Sequence, residues 1–254
     1  MNKVSLMTTL LISILAFAMT AGQLIRIPLG GQGAVTILDI TAFLFCLGAL
    51  FNLRSKLKKP PQHILAAFIF IAIAISSLIF TPLQLTRSEY LTSFFYILRF
   101  SLYIIFGWLL FLNAFNLQKK ISKILLISGI SFAGLGILQF IFFPNLNFLQ
   151  IAGWDPHYFR TVSTFLDPNF AGSFLVLTLL LLPSLREVAT TKQSSLIFIF
   201  IFAALLTTFS RSSYLMFLFS GLTFAFLKKS KTLAAITLIL FVILLTGFQT
   251  YTYL

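Results

Sequence analysis

The stretch Leu196–Leu227, LIFIFIFAALLTTFSRSSYLMFLFSGLTFAFL, decides how this chain is laid out. Two apolar runs flank Ser210-Arg211-Ser212-Ser213. A helix crossing a hydrocarbon core of about 30 Å needs about 20 apolar residues, so the stretch reads as one long span or two short ones. One span would leave Lys228, Lys229 and Lys231 on the side opposite the other lysine clusters; two spans return them to the same side. The chain is therefore expected to break at Ser210-Arg211. The cost is that Leu196–Phe209 is short, tilted or re-entrant.

Outward from there, the same pattern repeats. Candidate spans are Val4–Ala21, Val35–Leu53, His63–Phe80, Leu91–Phe115, Ile124–Phe143, Phe170–Leu185, Leu196–Phe209, Ser212–Leu227 and Leu233–Thr250. Main-chain amides in lipid must be satisfied within their own segment, so each is read as a helix, and the runs lack the alternation of barrel strands. With the N-terminus in the cytoplasm, 13 of the 18 lysines and arginines fall inside: Lys3, Arg54, Lys56, Lys58, Lys59, Lys119, Lys120, Lys123, Arg186, Lys192, Lys228, Lys229 and Lys231. Arg26, Arg87, Arg160 and Arg211 fall outside, and Arg99 lies within a span. The expectation is an all-α, polytopic transmembrane helical bundle of about nine spans. It has a cytoplasmic N-terminus and a periplasmic C-terminus, and residues 1–254 form one multi-pass domain of a bacterial inner membrane. The first span also resembles a signal peptide, with Ala16-Phe17-Ala18 as its cleavage site, which would leave the later topology unchanged.

Composition excludes several classes. Hydrophobic residues make up 59% of the 254 positions and charged ones 9%, too few to build a soluble surface. The net charge of +13 lies in short clusters between apolar runs, which argues for topology and against nucleic acid. One cysteine, Cys46, rules out an internal disulfide, and two histidines make an ordinary zinc site unexpected. Gly30-Gly31-Gln32-Gly33 does not sit between a strand and a helix as a phosphate cradle would. No paired-carboxylate glycosidase arrangement is visible. No metal and no cofactor are expected.

Four residues stand out as candidate substrate-binding groups. Arginine presents a planar, permanently charged fork suited to phosphate oxygens. Arg160 and Arg211 lie at the ends of neighbouring spans, where both could meet one anion, a diphosphate being the natural guess; snorkelling to lipid headgroups is the alternative. All four expected outer basic residues are arginines, although solvation alone would accept lysine as readily. Arg99 lies nine residues into its span with no acid close in sequence; it marks a functional site, a buried ion pair or a contact to main-chain carbonyls. In Asp167-Pro168-Asn169, Asp167 reads as an N-cap and Pro168 as the first helical residue. That leaves the amide of Asn169 to bind a sugar or hold the loop. Ser210 or Ser212 would cap the next helix, whose N-terminus beside Arg211 would favour an anion. His157, in the longest polar loop (Pro144–Asn169), is read as a loop residue rather than a base.

Arg160-Thr161-Val162-Ser163-Thr164-Phe165-Leu166-Asp167-Pro168-Asn169-Phe170, followed by a span, a basic turn and Thr208-Phe209-Ser210-Arg211-Ser212-Ser213-Tyr214, resembles the O-antigen ligase and O-antigen polymerase superfamily. The match covers about residues 160–220. The resemblance implies a GT-C-type membrane glycosyltransferase. Such an enzyme moves a glycan from an undecaprenyl-diphosphate carrier to an acceptor at the periplasmic face: lipid A core, a glycan repeat or a protein. The partners it implies are that carrier, that acceptor and membrane lipid, with no nucleotide sugar, and its arginines, here Arg160 and Arg211, hold the diphosphate. Family members continue into a long periplasmic loop with a histidine that activates the acceptor. The chain is therefore expected to be the front part of a longer enzyme, about residues 160–254 being the start of the ligase domain. Two other readings stand beside it: a transporter or flippase for lipid-linked glycan, with Arg99 as its main polar group, and a non-catalytic membrane scaffold.

Overall fold

The computed structural model describes residues 3–30, 33–53, 59–182 and 191–252. Arg54, Lys56, Lys58, Arg186 and the end of the sixth expected span lie outside the described residues. So do the tip of the glycine-rich stretch, Gly31-Gln32, and the terminal Tyr253-Leu254. The chain divides into two compact units, Met1–Ile121 and Ser122–Leu254.

The first unit holds α1 (Lys3–Ala21), β1 (Arg26–Gly30), β2 (Gly33–Thr36), α2 (Ile37–Leu53), α3 (Gln62–Ile79) and the leading part of α4 (Arg87–Phe142). The hairpin is a departure from the all-helical expectation. Val35 and Thr36 pair with Ile27 and Arg26 instead of opening the second span. The residues explain why: Ile27, Val35 and Thr36 are β-branched, and glycines stand at both sides of the tip. Thr36 then ends the strand and starts the helix. Its main-chain N–H donates to Asp39 Oδ2 at 2.8 Å, and its Oγ1 accepts from Asp39 N at 3.2 Å, a reciprocal capping box. Thr86 and Glu89 do the same for α4. The core of this unit lies between α2 and α4, where Phe45, Cys46, Ala49 and Leu109 are buried and Phe45 meets Phe106 edge-on. On α3 only Ile71 is buried. An apolar helix with so little of itself covered suits lipid better than water.

The second unit continues α4 from Ser122. Two short 3-10 turns follow (Asn147–Ala152 and Ser163–Phe165), then α5 (Pro168–Leu181), α6 (Thr191–Leu206), α7 (Arg211–Leu227) and α8 (Lys231–Thr252). The expected break at Ser210-Arg211 is present: Leu196–Leu227 forms two helices, with Ser210 Oγ accepting from Ser213 N to cap the second. Asp167 caps α5 as read, accepting from Asn169 N and Phe170 N with Pro168 at the first position. α5 packs on both α6 and α7, and α7 on α8. Small residues permit the close approach. A Cβ at Gly172 would lie 2.3 Å from Ser213 Oγ, and one at Gly221 2.6 Å from Thr237 Cγ2.

Among the described residues four helical segments are long and apolar enough to cross a membrane: Gln62–Ile79, Arg87–Leu112, Ile121–Phe142 and Lys231–Tyr251. Shorter apolar helices cover Ile37–Leu50, Pro168–Leu181, Gln193–Leu206 and Arg211–Leu227. Two of the long segments belong to α4. The sequence separates them by a turn around Lys119-Lys120, but the backbone there is helical, in a run without glycine or proline to break it.

Candidate anion-binding rim

In the second unit the N-termini of α5 and α7 meet, and Asn169 joins them. Its side-chain oxygen accepts from Ser210 Oγ at 2.7 Å and Ser212 Oγ at 3.0 Å, and its main-chain oxygen accepts from Ser213 Oγ at 3.1 Å. Gly172, one turn further along α5, leaves room for Ser213. The amide expected either to bind sugar or to hold the loop thus holds, through its oxygen, two helix starts together. Each helix start carries partial positive charge. Asp167 and Ser210 occupy some of the first-turn N–H groups, while those of Arg211 and Ser212 have no acceptor within the helix.

Arg160 approaches the same place from the preceding loop. Its Nε donates to Thr208 O at 3.1 Å and its Nη2 to Phe209 O at 3.0 Å. Those carbonyls belong to the turn between α6 and α7, so part of the guanidinium fork is spent holding that turn. The loop is fixed on its other side by Gln139 of α4, which accepts from Val162 N at 3.0 Å and donates to Arg160 O at 3.3 Å. Thr161 N donates to Thr207 O at 2.8 Å. Burial pushes the Arg160 pKa below its ordinary value, against the opposing influence of Tyr251, Asp167 and Tyr214. A guanidinium stays charged regardless. Two cations thus stand beside two helix N-termini, a setting that an anion would relieve.

Arg211 itself is exposed, with its guanidinium carbon 5.2 Å from the centre of the Phe248 ring. The unfavourable placement of this charge at a helix start is partly offset by that ring. Tyr251, also on α8, stacks on Phe209 at 4.4 Å and donates to Tyr158 O at 3.0 Å. The loop from Pro144 to Phe159 closes on itself through Leu146 N to His157 O and Phe159 N to Pro144 O. His157 Nε2 is buried with no hydrogen-bond partner among the described residues. Burial first, then the charge of Arg160, lowers the His157 pKa, so the ring is neutral at pH 7.

Backbone strain concentrates here. Phe159, Ser163, Leu166 and Phe209 all have positive φ, between 46° and 58°, without being glycine. Such residues persist where the surroundings over-determine them, often at sites of function.

Arg99 lies in the first unit. Its Nη2 donates to Asp39 Oδ2 at 2.8 Å and to Ala34 O, and Tyr103 donates to Asp39 Oδ1 at 2.7 Å. The guanidinium thus stands level with the junction of hairpin and α2. Its partner acid lies in a different helix, although none is close in sequence. Cavity-lining Phe43, Phe95 and Tyr96 stand beside it.

Sequence reasoning did not single out Gln139, Phe248, Tyr251 or the carbonyls of Thr208 and Phe209. Gln139 had a readable signal, an amide inside an otherwise apolar run. The α8 aromatics had none, because aromatic residues are common throughout this chain. Comparison of the chain with models of known families, with curated proteins and with solved structures found no match.

Proposed function

We propose that the rim binds the diphosphate of an undecaprenyl-diphosphate-linked glycan, and that the protein serves glycan transfer of the O-antigen ligase or polymerase type at the periplasmic face of the inner membrane. One observation carries the reading. Arg160, through its hydrogen bonds to the turn that leads into α7, and Arg211, at the first position of α7, some 50 positions apart in sequence, both stand where the N-termini of α5 and α7 meet. The motif resemblance implies a diphosphate at these same two residues.

In the reaction, an acceptor hydroxyl oxygen bonds to the anomeric carbon. The bond from that carbon to the diphosphate oxygen breaks, and the diphosphate leaves with the electron pair. The hydroxyl proton passes to a base on the acceptor side. Arg211, the N–H groups of Arg211 and Ser212, and the uncommitted part of the Arg160 fork would stabilise the charge growing on the leaving group, as oriented donors do in other sites. The accompanying topology has nine crossings with the N-terminus inside, which requires α4, helical throughout here, to bend back near Lys119-Lys120 so that its two apolar segments cross separately. It puts the rim outside and the lysine clusters within.

Arg211→Lys is the decisive variant, because its side chain makes no hydrogen bond within the protein among the described residues, whereas Arg160→Lys also loosens the Thr208–Phe209 turn. With purified chain, undecaprenyl diphosphate should bind about tenfold more weakly to Arg211→Lys, roughly 1.4 kcal/mol, with melting temperature unchanged. Equal binding by wild type and Arg211→Lys would sink the diphosphate role.

A further inference from the structure

The rim occupies one end of the second unit, where α5 and α7 begin and α8 finishes. At the other end, between α5, α6, α7 and α8, lies a cavity of about 750 Å³. Most of its wall is hydrocarbon, with Ser194, Ser195, Ser220 and Thr237 as its polar members. Ser220 Oγ donates to Phe217 O at 3.2 Å and Thr237 Oγ1 to Leu233 O at 2.9 Å, each back to its own helix. With those two hydroxyls satisfied and the remaining wall mainly Leu, Ile, Val and Phe, the space suits hydrocarbon better than a sugar or an ion.

Its mouth is different. α7 and α8 are joined by Lys228-Lys229-Ser230-Lys231, and all three lysines are exposed. The Lys228 ammonium lies 5.8 Å from the centre of the Phe224 ring, and Phe224 is part of the cavity wall. Leu233, two residues beyond Lys231, is another wall residue. Three cations thus stand within about a turn of this mainly hydrocarbon wall. Their ammonium groups sit on flexible stems, which follow a mobile phosphate better than a fixed fork does.

We propose that this cavity holds an acyl chain of an anionic glycerophospholipid whose headgroup phosphate rests on Lys228, Lys229 and Lys231. Basic pockets between membrane helices bind such headgroups. A zwitterionic lipid offers the same chains, but its own cation cancels the attraction. The site is separate from the rim and does not depend on what the rim binds.

The test uses the purified full chain in detergent, given equal amounts of dioleoylphosphatidylglycerol and dioleoylphosphatidylcholine, with retained lipid quantified by mass spectrometry. The expected result is about tenfold or greater enrichment of phosphatidylglycerol. The surface variant Lys228→Gln/Lys229→Gln/Lys231→Gln should bring the ratio near parity without lowering the melting temperature. Leu240→Trp, which fills the cavity, should reduce retention of both lipids. No enrichment in the wild type, enrichment that survives the triple variant, or phosphatidylglycerol retention untouched by Leu240→Trp in a protein that still melts cooperatively would each overturn the proposal. Site-directed cross-linking that places a second copy of this chain in the cavity would overturn it as well.

Discussion

Asp39 shows what a single side chain can settle. It accepts from Thr36, Arg99 and Tyr103 at once, so it ends a strand, starts a helix and neutralises a charge. The pair is only 31% and 10% exposed on its two sides. Asp39→Asn keeps the shape and removes the charge, leaving Arg99 uncompensated. We expect a loss of about 3 kcal/mol, read as a lower melting temperature in detergent. Asp39→Ala combined with Arg99→Ala should lose less than the two single losses added together. A buried ion pair is among the readings the sequence leaves open for Arg99, but Asp39 as its partner could not be read from the chain, because the two lie in different helices and no local spacing joins them. The caps could be read: Asp167 with Pro168 and Ser210 act within a few residues of themselves. His157 makes a prediction at the same scale. Its folded pKa lies below the ordinary 6.5 because burial disfavours the charged ring. The unfolded chain therefore takes up the proton first, and stability falls as pH drops below about 6.5 and levels off once the folded ring is protonated too. His157→Gln should flatten that part of the pH–stability curve, and a curve that keeps its slope would exclude this origin.

Between helices, contact is set by very small groups. Gly172 lets α5 lie against Ser213 of α7, and a methyl there would meet Ser213 Oγ and Cβ at 2.3 and 2.5 Å. Ser213 cannot simply turn away, since its hydroxyl is bonded to Asn169 O and paired with Ser210 Oγ at 2.8 Å. Gly172→Ala should therefore cost about 1–3 kcal/mol, and Ser213→Gly placed with it should restore part of the loss. Melting curves of the single and double variants check this. No rescue would mean that the two helices approach differently. Sequence placed the helix starts within a few residues, because apolar runs and caps are local signals. It missed the hairpin, because Val35 and Thr36 suit a strand and the apolar run equally well, and only their pairing with Ile27 and Arg26 separates the two uses. It also gave no hint that α5 and α7 would bring their N-termini together, a matter of which helices become neighbours.

For the molecule as a whole, the distribution of charge decides which way it faces. The proposed orientation puts the loop around Asp155 outside and the turn at Lys229 inside. In a Cys46→Ala background, Asp155→Cys in intact cells should react with a membrane-impermeant maleimide, and Lys229→Cys only after the inner membrane is opened. Labelling in the reverse order would invert the topology and remove the rim from the periplasm. Hydropathy made the membrane character legible, and long apolar segments such as Gln62–Ile79 and Lys231–Tyr251 match their expected spans closely. Helices such as α6 are harder to read, since 16 residues is short for a crossing.

The positive-φ residues around the rim have a practical meaning for anyone stabilising this protein. At Leu166 or Phe209, glycine would adopt the observed backbone without the steric penalty of a side chain, a change that should stabilise by about 1 kcal/mol if the side chain did nothing. Phe209 does something: its ring stacks on Tyr251 while its carbonyl receives Arg160. A screen for heat-resistant variants would be drawn to these positions. At Phe209 the relief of backbone strain is therefore set against the loss of that stack, whereas Leu166→Gly carries no such ring contact.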